Sequence, residues 1–550
     1  MDSTKKNRFF SITLKIITAL FIIIIARLFF LMIVSSDKSK EYDDPNVASA
    51  VVRGNILDTN DKILAIEVPY YSCSLRVDKI SNLEEIAQLI SPYLDMEESE
   101  IVEIANRYQL QALIKDRIDD DKVEPLQNKI KELNLQNIGK VEKKEGRDYP
   151  YTFHAAQSIG FVGSDNEGLE GIEYTMNDYL SPSPQLNEEI TYGDDVKLTL
   201  DMDIQYLVDL EVQNINRDFD PESIVGIVLD AKTGDILAMT SYPWYDLNSF
   251  KESSADEKQN KVISMLYEPG SVFKIFSLAL LLDLDQADFE TPFICDGTFS
   301  FNEDGKEITI KCTHEHGTVT PQLMLKYSCN GAISSWALQS DSDDYYEKLN
   351  QLGFNSKIDL PLNGVARSRI ADPSTWSVRS KPTISFGQEM STTAINLVSA
   401  ATALANDGII LKPHIVKSIV DSDSNVVKER EIERSDPIFD VATADEVLEG
   451  MELATQEGGT ATKTAIEGLR VGSKTGTAQL YNSETKSYED GGVLASTLSI
   501  VPLEDPKYII YFAAKAPTKG SIWGSNIAGP AVHGILEGLV SQNKLTIKKQ

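Results

Sequence analysis

Glu268-Pro-Gly-Ser-Val-Phe-Lys-Ile-Phe-Ser-Leu-Ala-Leu-Leu-Leu282 decides the reading of this chain. Pro269 and Gly270 mark a turn, and the apolar run after them is long enough to be a buried helix. Ser271 then opens that helix. Lys274 lies three residues on, on the same helical face, where its amine reaches the Ser271 hydroxyl. Apolar surroundings disfavour the ammonium form, so Lys274 is expected to act as a base. The N–H groups left unpaired at a helix start, that of Ser271 among them, can face an oxygen that turns negative during acyl transfer. The competing reading is a capped core helix with a snorkelling lysine.

Two further strings shift the balance. Ser328-Cys-Asn330 follows a helix-like stretch, Thr320 to Tyr327, and offers a second hydroxyl to relay a proton and an amide to hold a lysine and a substrate carbonyl. Lys474-Thr-Gly-Thr477 sits in Leu469 to Leu480, which alternates as an edge strand does. An edge leaves backbone groups free for an extended peptide, Gly476 permits close approach, and Lys474 adds positive charge. Each string alone is weak. Ser-x-x-Lys recurs at Ser3, Ser35, Ser483 and Ser541, Ser164-Asp-Asn166 repeats the second pattern, and Lys232-Thr-Gly234 repeats the third. The last lies between two apolar runs and reads as a hairpin turn.

The three strings in this order resemble class B penicillin-binding proteins, membrane-anchored D,D-transpeptidases that cross-link peptidoglycan. The likeness runs through nearly the whole chain, in Arg53-Gly-Asn-Ile-Leu-Asp58, Arg147-Asp-Tyr-Pro150, Ile159-Gly-Phe-Val-Gly163, Gly168-Leu-Glu-Gly-Ile-Glu173, Leu198 to Gln205 and Gly458-Gly-Thr-Ala461. The resemblance implies that Ser271 is the acylated nucleophile, Lys274 its base and Ser328 a relay. It also implies that Lys474 tunes the site, that Asn330, Thr475, Gly476 and Thr477 bind substrate, and that the Thr477 N–H completes an oxyanion hole. The implied reaction expels D-alanine from a D-Ala-D-Ala stem peptide and passes the acyl group to a neighbouring stem; β-lactams mimic the donor. No cofactor and no metal are implied. Ser385-Phe-Gly-Gln388 and the context of Glu457 to Ala461 look division-type, with elongation as the alternative. Such enzymes work with a polytopic glycan-polymerising membrane partner and with division proteins.

Some positions depart from the family pattern. Ser473 replaces a usual glycine before Lys-Thr-Gly, Thr59-Asn-Asp61 replaces Arg-Asn-Gly, and Ala495-Ser-Thr-Leu-Ser499 lacks the customary phenylalanine and glycine. Glu389 also stands where glycine is usual, and a lone charge there is expected to face water.

The chain has 550 residues, 42% apolar and 25% charged, an ordinary globular composition with room for two or three domains. A net charge of -32 argues against nucleic acid as a partner. Lys5, Lys6 and Arg8 precede Ile16 to Val34, an apolar run broken by Thr18 and Arg27. At about 1.5 Å per residue such a helix nearly crosses a hydrocarbon core of roughly 30 Å, with the positive flank inside and the bulk outside the cytoplasmic membrane. A cleaved signal peptide is the rival. Residues 1–37 are thus expected to be tail and anchor, 38–190 an elongated pedestal with amphipathic helices at Asn82 to Ile90 and Val123 to Leu135, and 195–545 the transpeptidase domain. Asp119 to Asp121 read as a solvated charge run, and Ser181-Pro-Ser-Pro184 as a stiff link. The expected fold is α+β, an antiparallel sheet between helical layers, with Tyr508 to Ala513 as one strand.

Four cysteines remain: Cys73, Cys295, Cys312 and Cys329. Cys295 and Cys312 flank a hairpin-like excursion that can hold them side by side as a disulfide, as free thiols or, with His314 and His316, around zinc. Without Cys-x-x-Cys spacing, the disulfide or free thiols are favoured. Two other functions share parts of these motifs: a membrane-bound β-lactam hydrolase, for which no Glu-x-x-x-Asn segment stands between the second and third strings, and a non-catalytic lactam sensor.

Overall fold

The computed structural model describes residues 18, 50–184, 189–288, 292–303, 305–480 and 492–547. The expected membrane span at 16–34 lies outside the described residues except for Thr18; among the described residues no helix is long and apolar enough to cross a membrane. The chain divides into a small unit, Met1–Val52 with Ser181–Gly193, and a large one, Arg53–Leu180 with Asp194–Gln550. Within the small unit, Ala50–Val52 pairs in parallel with Ile190–Tyr192.

The N-terminal part of the large unit follows its local sequence. Asn82 caps the helix Leu83–Leu94 by accepting from the Glu85 N–H, and Ile86, Ile90 and Leu94 recur every four residues on its buried face. The charge run at Asp119 to Asp121 is exposed, as expected, and it opens a helix: Asp119 precedes the helix Asp120–Glu132, and Lys129 and Lys131 close it. Acidic residues favour the positive end of the helix dipole and basic ones the negative end. Beneath these helices Ile63–Leu75 pairs with Ala112–Ile118 and with Gly139–Asp148. The sheet continues through Ile56–Leu57, Asp195–Leu198 and Val416–Val420 to Val426–Glu429, so strands from both ends of the large unit share it.

Three of the sequence strings meet behind this sheet. Glu173 accepts from Arg53 Nε at 2.7 Å and from Arg147 Nε at 2.6 Å, all three side chains being buried. Arg53 also donates to Asn177 Oδ1 and to the carbonyls of Asn166 and Glu173. Buried charges persist only when paired and hydrogen-bonded in this way.

The elements of the remainder that place the site are α1 (Met202–Phe219), β1 (Ser223–Asp230), β2 (Ile236–Tyr242), α2 (Lys274–Asp283), α3 (Pro321–Tyr327), α4 (Asn330–Gln339), α5 (Ala394–Ala405), α6 (Val441–Thr455), β3 (Gly472–Gln479), β4 (Val493–Val501), β5 (Tyr508–Lys515) and α7 (Gly524–Ser541). The strands form one antiparallel sheet in the order β3-β4-β5-β1-β2. Both faces are covered, as the period-two alternation requires. Ile224, Val228, Ile510 and Phe512 pack with α1 and α7, whereas Val225, Ile227, Ile509 and Tyr511 pack with α2 and α5. The expected sheet between helical layers is therefore present. Lys232-Thr-Gly234 is the β1–β2 turn: Gly234 has φ +78, and a Cβ there would lie 2.4 Å from the Lys412 carbonyl oxygen.

Candidate active site

Ser271 opens the helix through a 3₁₀ turn, Gly270–Phe273, and α2 proper starts at Lys274. In a 3₁₀ turn residues i and i+3 eclipse, so this tightening sets the Ser271 and Lys274 side chains one above the other. Phe273, Phe276 and Phe354 meet edge to face beneath them, with ring centroids 4.7 to 5.8 Å apart, and fix the turn from below.

Four oxygens surround the Lys274 amine. Its Nζ lies 3.1 Å from Ser271 Oγ, 3.0 Å from Ser328 Oγ, 2.6 Å from the Ser328 carbonyl oxygen and 2.6 Å from Asn330 Oδ1. The two carbonyl-type oxygens can only accept, so they take two N–H groups. In the neutral amine that leaves one lone pair for a hydroxyl. Lys274 is fully buried, and burial pushes its amine down to about 8.

Ser328 ends α3 in the left-handed region, with φ 59, and Cys329 caps α4 by accepting from the Ala332 N–H. The Ser-x-Asn string is thus a tight corner between two helices. Its αL residue turns both the hydroxyl and the carbonyl of Ser328 toward Lys274. Asn330 Nδ2 donates to the Lys311 carbonyl at 2.9 Å, which leaves Asn330 Oδ1 directed at Lys274.

β3 is the edge strand, and Lys474 on it is fully buried. Lys474 Nζ donates to Ser328 Oγ at 2.9 Å and to the Thr475 carbonyl at 2.9 Å. Burial, and then the nearby Lys274, hold the Lys474 amine well below the usual ammonium range. Because the Thr475 carbonyl faces Lys474 rather than β4, strand parity turns the Thr477 N–H to the same open side. A Cβ on Gly476 would lie 2.7 Å from Ser496 Oγ and 2.9 Å from Val272 Cγ2, so glycine allows β3 to close on the serine turn. Thr477 Oγ1 accepts from the Gly524 N–H at 3.1 Å and keeps its own proton to donate, while Thr475 is largely buried. Ser271, Lys274, Ser328, Asn330, Lys474, Thr475, Gly476 and Thr477 thus converge on one place.

The departures have local structural reasons. Ser473 and Ser499 are direct cross-strand partners; Ser473 Oγ lies 2.7 Å from Ser499 Oγ and 2.8 Å from Thr464 Oγ1. One substitution therefore satisfies the other. Asp61 and Glu389 have φ 66 and 56, the left-handed region that makes glycine usual there. Glu389 is exposed, as expected, but its carboxylate also accepts from Ser380 Oγ at 2.6 Å and Thr383 Oγ1 at 2.8 Å.

The cysteines meet in a way the spacing did not reveal. Cys295, Cys312 and Cys329 are all free thiols, and their ligand atoms with that of His316 lie within 4.8 Å of one another, whereas His314 is exposed and outside the group.

Comparison with known proteins agrees with this geometry. Residues 224–537 match the family described as penicillin binding protein transpeptidase domain, and residues 48–186 match the penicillin-binding protein dimerisation domain. The probable peptidoglycan D,D-transpeptidase PenA of Neisseria gonorrhoeae is 26% identical over 560 residues, covering 96% of this chain and 91% of that protein. Stage V sporulation protein D of Bacillus subtilis (strain 168) is 26% identical over 545 residues, 94% of this chain and 83% of that protein. The solved penicillin binding protein 3 of Mycobacterium tuberculosis, complexed with aztreonam, superposes with a TM-score of 0.72 at 22% identity, covering 91% of this chain and 98% of that one. With more than half of its length matched in one stretch, this chain belongs to the penicillin-binding protein transpeptidase family.

Proposed function

We propose that this protein is a peptidoglycan D,D-transpeptidase that works through an acyl-enzyme on Ser271. The observation that carries the reading is the Lys274 amine, buried, pushed down to about 8 and 3.1 Å from Ser271 Oγ. In the first step Lys274 takes the Ser271 proton as Oγ bonds to the penultimate D-alanine carbonyl. The N–H groups of Ser271 and Thr477 hold the developing oxyanion. The C–N bond then breaks, and Ser328, within 3.0 Å of both lysines, passes a proton to the departing D-alanine amine. In the second step an amine of a neighbouring stem attacks the ester, gives up its proton along the same route and releases Ser271. Asn330 and the β3 edge hold the extended donor, with Thr475 and Thr477 donating to its terminal carboxylate and Lys474 setting the local field. β-Lactams acylate Ser271 as mimics of the donor.

The name of the relative from Neisseria gonorrhoeae, a probable peptidoglycan D,D-transpeptidase, supports work on peptidoglycan, and the strings Ser385-Phe-Gly-Gln388 and Glu457 to Ala461 support the septal wall as its place. The segment 16–34 anchors the chain in the cytoplasmic membrane with its N-terminus inside, residues 38–190 form the pedestal and 195–545 the catalytic domain. Its partner is a polytopic glycan-polymerising membrane protein with the division machinery.

The test supplies purified protein with a donor ending in D-Ala-D-Ala and an excess of a D-amino acid acceptor. Release of D-alanine together with the transfer product is expected. Hydrolysis without transfer, or rapid penicillin turnover, would sink the transferase reading in favour of a hydrolase.

A further inference from the structure

The strongest unassigned feature is the group of soft ligands against the Ser-x-Asn corner. Cys295 ends the strand Phe293–Cys295, which pairs with Gly317–Val319 so that Cys295 faces Gly317. His316 therefore arrives beside Cys295, and its backbone N–H donates to the Cys295 carbonyl at 3.3 Å. Cys312 leaves the hairpin strand Lys306–Lys311, with its N–H donating to the Gly297 carbonyl at 2.9 Å. Cys329 caps α4 from the far side.

The spacings are those of ligands around one ion. Cys312 Sγ lies 3.7 Å from Cys295 Sγ and 3.7 Å from Cys329 Sγ, and His316 Nδ1 lies 3.3 Å from Cys295 Sγ. Two thiolates bound tetrahedrally at about 2.3 Å to zinc stand about 3.8 Å apart, whereas a disulfide needs about 2.05 Å. The surroundings suit thiolates. The Gly331 N–H donates to Cys312 Sγ at 3.3 Å and the Ala332 N–H to Cys329 Sγ at 3.5 Å. The His316 ring lies flat on Tyr327, with planes 3° apart, which fixes the direction of its nitrogens.

We propose that Cys295, Cys312, Cys329 and His316 form a closed Cys₃His zinc site that holds the Ser-x-Asn corner in place. Binding releases the thiol protons to solvent and takes His316 as neutral imidazole. Four protein ligands leave no open position, so the ion is structural. The ligands come from a strand end, a hairpin exit and a helix cap, which is why no Cys-x-x-Cys spacing marks them. Cys329 lies between Ser328 and Asn330, so the ion ties to the hairpin the two residues that hold Lys274.

The experiment uses the full chain, purified under reducing conditions without chelator. Metal analysis should find one zinc per chain, and the cobalt-substituted protein should show the intense visible bands of tetrahedral thiolate ligation. Cys312→Ser and His316→Ala should lose or weaken the metal, and His314→Ala should keep it. Stripping the zinc should lower penicillin acylation at least tenfold, with recovery on adding zinc back. Absence of stoichiometric metal, or a Cys295–Cys312 or Cys312–Cys329 disulfide in a non-reducing peptide map, would overturn the site. Full zinc content in Cys312→Ser would do the same. Unchanged acylation after removal would overturn the positioning role. The cobalt spectrum of the unmutated chain decides the matter even if the variants fail to fold.

Discussion

Lys274 and Lys474 reach the same oxygen: their amines lie 3.0 and 2.9 Å from Ser328 Oγ, one from a helix and the other from the sheet edge. Two buried ammonium groups cannot share one hydroxyl cheaply, so near neutrality the pair is expected to carry a single proton and to titrate as a unit. Once that proton leaves Lys274, whose amine is pushed down to about 8, Lys274 is free to deprotonate Ser271.

A pH profile follows from this pair. The groups facing Lys274 are Ser271, Ser328, Asn330, Lys474 and the thiols of Cys312 and Cys329, and its burial dominates. The neutral amine is the active form, so the rate of penicillin acylation should rise with pH, about tenfold per unit, and level off near 8. Stopped-flow acylation checks this; a flat profile between pH 6 and 9 would contradict it. Lys274→Arg, which cannot deprotonate, should lose roughly 10²–10⁴ in rate with the fold intact.

Ser473 and Ser499 should behave as a coupled pair. Ser473→Ala leaves Ser499 and Thr464 with a buried hydroxyl short of a partner and should cost about 1–3 kcal/mol in denaturant unfolding. In a double-mutant cycle with Ser499→Ala, the second substitution should cost less than it does alone. Strict additivity would show that the hydroxyls do not cooperate.

Glu173 carries a larger burden. Glu173→Ala leaves the Arg53 and Arg147 guanidinium groups buried and unpaired, at about 3–5 kcal/mol. A lowered Tm with unchanged acylation per folded molecule is expected. A selective loss of acylation at wild-type Tm would place Glu173 in the site's working instead.

At Gly476 the conflict is local to the site. Gly476→Ala pushes a methyl toward Ser496 and Val272, and overpacking of this kind costs about 1–3 kcal/mol. Acylation per folded molecule should slow through displacement of β3, alongside a modest fall in Tm; wild-type acylation would mean that the strand approach is not needed.

What was legible in the sequence was local. The i, i+3 step from Ser271 to Lys274, the apolar run behind it, the alternation around Lys474, the Gly234 turn and the amphipathic stretch from Asn82 to Ile90 each follow from the periodicity or chemistry of a few residues. What was not legible depends on partners far along the chain. Nothing in Ile56–Leu57 announces its pairing with Asp195–Leu198, and nothing in Ser473 announces Ser499 until the β3–β4 register is known. The αL turn at Ser328 sends Cys329 back toward Cys312, a consequence of one dihedral that spacing does not encode. Asp119 to Asp121 are exposed, as a charge run suggests, but that they open a helix depends on the dipole of the turns behind them.

The central claim is that Ser271 carries the acyl group. Incubating the protein with penicillin, digesting it and sequencing the modified peptide by mass spectrometry tests this directly, with Ser271→Ala as control. One penicilloyl group on Ser271, stable for much longer than a turnover and absent from Ser271→Ala, is the predicted result. An adduct on another residue, or one that persists in Ser271→Ala, would contradict it.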